Sequence, residues 1–277
     1  MTQRLNQALA NRIFTLLALI AIAPALLIVV DLPARAYTLN FLGSPVTLNF
    51  TTDTLLVTLV PVLAVAGVDW VLREHPSVRR GTIAYLFPFW MAPGIGALAL
   101  SLLLSSIDNW ALWLMALMIG VGIIGILIYA EYVTLDANVS SFANARLIVT
   151  GLTYVIAFAL FTLIYGQRDR TVISATQIMS ITFVLSLELL EPHRIGLRTA
   201  TLGAAVVAFL IGQGTWAINY WNVSTWSAGV LLLAMFYGCV GLTQQYHQGQ
   251  LARGVLIEYS VIALIALVVV WLLAESR

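Results

Sequence analysis

Runs of about 20 consecutive, mostly apolar residues recur along this chain, and a run of that length spans the hydrocarbon core of a bilayer as one helix. They can be drawn at residues 12–30, 54–72, 82–104, 110–129, 147–166, 171–190, 196–216, 227–243 and 254–273, with short polar connections between them. The composition agrees: 61% of the 277 residues are hydrophobic and 9% are charged, against roughly 25% charged in soluble domains. A water-soluble fold cannot hide that much apolar surface. A transmembrane barrel would alternate with a period of two throughout, and only one passage here does so. The expected fold is an all-α membrane protein of about nine transmembrane helices, forming a single polytopic domain over residues 1–277.

The alternating passage lies at residues 36–51, between the first two spans. Tyr37, Leu39 and Phe41, then Val46, Leu48 and Phe50, alternate with Thr and Asn around a Gly43-Ser44-Pro45 turn. That is the pattern of a β-hairpin with one apolar face. A lone hairpin is marginal in water, so it is expected either to lie flat on the membrane surface or to cap the helices beneath it. Pro24 is expected to kink the first span. Pro88, Pro93, Gly94 and Gly96 are expected to bend or break the third, which protein or a wet cavity must then accommodate.

Orientation follows from the basic residues, all thirteen of which are arginine. With the N-terminus inside, Arg4, Arg12, Arg73, Arg79, Arg80, Arg146, Arg194, Arg198 and Arg253 fall on the cytoplasmic side. Arg35, Arg168, Arg170 and Arg277 fall outside. Cytoplasmic loops carry the excess of positive charge, so the chain reads as N-in and C-out, with the hairpin extracytoplasmic. Trp110, Trp113, Trp216, Trp221, Trp226 and Trp271 then lie near the outer interface, a common depth for indole rings. The first span lacks a convincing cleavage site and reads as uncleaved. The expected location is the inner (plasma) membrane, with the bilayer as partner and a possible protein partner within it. A net charge of +1 without a basic tract gives no reason to expect nucleic acid.

This arrangement gathers ionisable residues on the cytoplasmic side. Asp69, Glu74 and His75 follow the second span, and Glu131, Asp136 and Arg146 lie in a central joint at residues 130–146. Glu188, Glu191, His193 and Arg198 surround the end of the sixth span, and Glu258 sits early in the ninth. A carboxylate in hydrocarbon is costly, so each must meet a partner, a wet cavity or the headgroups. Asp69, Glu188 and Glu258 fall inside the apolar limits of their spans, and Glu188 lies among leucines. Ion pairs locking the helix ends are the plainer reading; a polar pocket for a substrate or ion is the sharper one. Deeper in the membrane, Gln177 and Gln213, with Ser180 and Thr182, are candidates to line a path or to hydrogen-bond neighbouring helices.

Other chemistry finds little support. The three histidines lack the HxxxH or HExxH spacing that puts two ligands on one helical face, and Cys239 is the only cysteine. No metal or cofactor is expected. No GxSxG elbow is present, so no catalytic residue is assigned. Gly120, Gly122 and Gly125 spell GxGxxG, but without a βαβ unit around them they read as close helix contacts.

Two resemblances bear on function. Acidic residues after the second and sixth spans resemble the layout of UbiA-type membrane prenyltransferases, in which Asp-rich motifs hold magnesium and pyrophosphate. The corresponding residues, Asp69 with Glu74 and Glu188 with Glu191, do not reproduce the NDxxD or DxxxD pattern. The passage Tyr129-Ala130-Glu131-Tyr132, with Asp136, Ala145-Arg146 and the helix end Leu163-Ile164-Tyr165-Gly166, resembles bacterial multi-spanning membrane proteins of unknown function. That likeness implies no activity. The expected role is a non-catalytic subunit, scaffold or accessory protein of a membrane assembly. The alternatives are a transporter of a small or lipophilic solute and a prenyltransferase-like, lipid-modifying enzyme.

Overall fold

A computed structural model describes residues 2–29, 35–41, 44–75, 78, 87–136, 138–167, 171–190, 195–221, 223–249, 254, 257–259, 261, 264 and 268. Expectations placed on Arg79, Arg80, Arg168, Arg170, Glu191, His193 and Arg194, on the start of the third span and on most of the ninth lie outside these residues.

The described residues are helical apart from turns, connections and two short strands. Helix α1 covers Thr2–Val29, strands β1 and β2 cover Arg35–Phe41 and Ser44–Phe50, and α2 covers Thr52–Leu72. After a 3₁₀ turn at Pro88–Trp90 come α3 (Met91–Leu104), α4 (Trp110–Thr134), α5 (Phe142–Gly166), α6 (Thr171–Leu189), α7 (Leu197–Asn219) and α8 (Thr225–His247). Among the described residues, seven helices are long and apolar enough to cross a membrane; α3 is apolar but shorter. The strands pair antiparallel.

Several boundaries differ from those expected, for one physical reason. Hydropathy marks where a helix meets oil, whereas backbone hydrogen bonding continues into the polar interface. Helix α4 therefore runs past Tyr129 to Thr134, and α5 begins at Phe142, which leaves a joint shorter than 130–146. Side-chain caps set other starts. Asn109 accepts from the amides of Ala111 and Leu112, and Ser224 accepts from Ser227 N, starting α8 at Thr225. The 3₁₀ turn at Pro88–Trp90 leads directly into α3, and the part of the third span before Phe87, where a bend was expected, lies outside the described residues. Pro93 then falls in the first turn of α3, where a missing N–H costs nothing. Helix α1 passes through Pro24 without interruption.

The chain divides into two compact units, Met1–Ile148 and Val149–Arg277. In the first, α2 buries Leu56, Val60, Ala64, Val68 and Leu72, one residue per turn. That stripe meets Leu16 and Ile20 of α1, Ala97 and Leu100 of α3, and Ile124 and Ile128 of α4 in one core. Gly120 lies against the Leu100 side chain, and a Cβ at Gly125 would come 2.8 Å from Leu17 Cδ1, whereas Gly122 faces open space. The glycine reading thus holds for two positions of three.

In the second unit, α6 and α7 form the closest pair. Ile178, Ile181 and Leu185 of α6 are buried, as are Ala200, Ala204, Val207, Ile211 and Ile218 of α7. Helix α8 joins through stacked rings: Phe236 lies 5.9 Å from Phe161 and 5.6 Å from Tyr154 of α5.

Outward faces are strongly apolar. Met118 of α4 is 65% exposed and Leu202 of α7 is 61% exposed. Contiguous exposed apolar surface of this kind marks contact with lipid or with other membrane helices.

Candidate functional site at the charged helix ends

In the first unit the polar ends of α1, α2 and α4 come together. Arg12, in the N-terminal half of α1, reaches the C-terminal end of α2, where its Nη2 lies 2.7 Å from Oε1 of Glu74, just beyond that helix. Its Nη1 donates to Trp70 O at 3.1 Å, and its guanidinium carbon sits 4.7 Å from the Trp70 ring centroid. One arginine therefore joins an ion pair, a carbonyl and an indole face, a combination its planar, permanently charged group allows. One turn apart on α2, Arg73 donates to Asp69, and that hydrogen bond raises the arginine's already high pKa. The other oxygen of Asp69, Oδ1, is buried without a hydrogen bond among the described residues.

Helix α4 closes the group. The ring of His75 meets Tyr132 edge-on at 4.7 Å. Burial lowers the His75 pKa below its ordinary value, and the nearby charge of Asp136 opposes that shift. Glu131 is fully buried; the Thr134 hydroxyl donates to its backbone oxygen at 2.9 Å and approaches its Oε2 at 3.3 Å. Asp136 accepts from the backbone and side-chain amides of Asn138. Arg146, half-buried, lies in the first turns of α5.

In the second unit Glu188 is 3% exposed in the last turn of α6. Beside it, Gln244 of α8 donates to Leu189 O at 2.8 Å. His247 lies close to Gly203 of α7, with its buried Nε2 unpaired among the described residues. Arg198 and Glu258 are exposed. At the opposite end, Asn219 Nδ2 donates to Ser174 Oγ at 3.1 Å, and Tyr165 donates to Ile218 O at 3.3 Å.

Of the residues expected to cluster, Asp69, Glu74, Glu131, Asp136 and Arg146 belong to the first unit and Glu188, Arg198 and Glu258 to the second, while Glu191 lies outside the described residues. Gln177 and Gln213 are both exposed, whereas Thr182 and Ser186 are the fully buried polar side chains of α6. Among the described residues, no three His, Cys, Asp or Glu side chains converge in a way that could hold a metal ion. Sequence reasoning counted Arg12 only as a topological charge. The signal it passed over was an arginine at the edge of an apolar run, with Trp70 in the last turn of α2 and Arg73 and Glu74 just beyond its end.

The profile of a family described as a protein of unknown function, DUF5656, matches residues 32–273. The chain belongs to that family. The match takes in every DUF5656 element from the hairpin onward and leaves out α1, the helix that carries Arg12. Comparisons with curated proteins and with solved structures found no match.

Proposed function

We propose that this DUF5656 chain is a non-catalytic subunit or scaffold of a membrane assembly, with both units forming one polytopic domain in the same bilayer. It sits N-terminus inward in the plasma membrane, with the hairpin outside. The observation that carries this reading is the closure of the charged ends upon themselves. Arg12 engages Glu74 and Trp70, and Arg73 engages Asp69. Such groups stitch helix ends together. The exposed amides of Gln177 and Gln213 suit a partner helix better than an internal route, since amides at membrane depth commonly join helices.

The test is purification in mild detergent with native mass spectrometry, alongside Glu131→Gln and Glu188→Gln. The expected result is an assembly of fixed stoichiometry, whose stability or yield the amide variants lower. The reading fails if the purified chain alone drives solute uptake into liposomes. It also fails if a prenyl pyrophosphate protects the chain from proteolysis in a magnesium-dependent way that Glu188→Gln abolishes.

A further inference from the structure

Helices α6 and α7 of the second unit run antiparallel and share one outward face. Ser174 meets Asn219 near one end, and Leu190 approaches Gly203 at the other. Between these contacts, a Cβ at Gly212 would lie 3.5 Å from the Cβ of Met179, so these two positions face each other. Successive helical residues turn by about 100°, and in an antiparallel pair the residues following two facing ones turn to the same side. Ser180 follows Met179 and Gln213 follows Gly212. They therefore project from one side of the pair at one depth, and both are exposed. On α7 a straight exposed stripe runs through Leu202, Val206, Phe209, Gln213, Trp216 and Tyr220, a spacing that keeps to one face over five turns.

The polar groups on this face differ in what they still need. Thr176 donates to Val172 O at 2.6 Å and Ser180 donates to Thr176 O at 2.8 Å, so their own helix satisfies both hydroxyls. The amide of Gln213 makes no hydrogen bond among the described residues, and neither does that of Gln177, at the edge of the face. Helix α7 is apolar and long enough to cross a membrane. Gln213 lies about 9 Å along its axis from the Asn219 end, which puts the amide in hydrocarbon. An amide there without a partner is costly.

We propose that this face is a homodimer interface: a second copy covers it about a twofold axis along the bilayer normal, and the Gln213 amides of the two copies bond to each other. The argument is self-complementarity. Copies of one chain insert in one orientation, so a closed pair has its axis along the normal, and a residue near that axis meets its own counterpart at its own depth. A charged group there would repel itself. A primary amide carries two donors and an acceptor, so it satisfies its own copy. The stripe and the neighbouring Thr176, Gln177 and Ser180 hold no charge, and the apolar members pack against themselves equally well. The proposal rests on the scaffold reading for the premise that a partner helix covers these amides, and it adds which partner that is.

The test uses the full chain with Cys239→Ala and one new cysteine, introduced by Phe209→Cys, Gln213→Cys or, on another outward face, Met118→Cys. Two differently tagged versions are co-expressed and oxidised in their membranes, so a band holding both tags contains two copies. The expected result is a band of twice the chain mass for Phe209→Cys and Gln213→Cys and none for Met118→Cys. Energy transfer between labelled chains diluted in liposomes then gives the association constant. Gln213→Leu is expected to lower it about threefold to tenfold, and Gln213→Asn, which keeps an amide, to lower it less. The proposal is overturned if neither stripe cysteine gives the doubled band, if Met118→Cys gives it equally, or if Gln213→Leu associates as tightly as the parent chain. A band of another mass in place of the doubled one ends the proposal but leaves the scaffold reading standing. A dimer that by itself drives solute uptake does the reverse.

Discussion

Arg12 does the most at the scale of a single residue, because one guanidinium meets a carboxylate, a backbone carbonyl and an indole face at once. Its side chain is 28% exposed and that of Glu74 is 42% exposed, so solvent weakens the ion pair and the aromatic contact supplies much of the effect. Arg12→Gln is expected to cost about 1–2 kcal/mol, read as a lower unfolding temperature in detergent, with Arg12→Lys in between. An unchanged melting curve for Arg12→Gln would show that the contacts carry no stability. His75 makes a pH-dependent contribution of defined sign. Its folded pKa lies below its ordinary value of 6.5, so the unfolded chain binds the proton more readily. Stability is then full above about pH 6.5 and declines as pH falls toward the lowered value, below which the loss levels off. His75→Gln should flatten that part of a melting-temperature profile. Asp136→Asn removes the charge that opposes the shift, so it should steepen the decline; a shallower profile in that variant would contradict the assignment.

At the scale of elements, helix contacts depend on where side chains are absent. A Cβ at Gly67 would meet Leu16, whereas one at Gly122 meets nothing within 4 Å. Gly67→Ala should therefore lower stability by about 1–3 kcal/mol through overpacking. Gly122→Ala should be neutral or mildly stabilising, since alanine favours helix; thermal melts of the two variants in parallel decide the matter. Much of this scale was legible in the sequence. The apolar runs announced the helices. Helix ends were less legible, because Glu131 and Tyr132 continue α4 through polar sequence that hydropathy reads as a connection. Among the three glycines of α4, the text could not say which two face a neighbour, since that depends on where Leu17 and Leu100 sit. The candidate site was legible as a set of charges but not as pairs. Nothing in the spacing of Arg12 and Glu74, on different helices, announces their contact.

At the scale of the whole molecule, each unit has its own internal order of helix directions. In the first, the N-terminal half of α1, through Arg12, and the ends of α2 and α4 share one polar side. In the second, the ends of α6 and α8 meet at Leu189 and Gln244, while Ser174 and Asn219 meet at the other side. Within each unit, the pattern is that of helices running alternately up and down. The central proposal is that the ends bearing Glu74, Glu131 and Glu188 each face the cytoplasm. Its most direct test is labelling of intact cells with a membrane-impermeant maleimide, using Cys239→Ala chains that carry one new cysteine at Asp108, Asn138, Trp221 or Gln248. The account predicts that Asp108 and Trp221 react in intact cells and that Asn138 and Gln248 react only after permeabilisation. Reaction of Asn138 or Gln248 from the same side as Trp221 would contradict it.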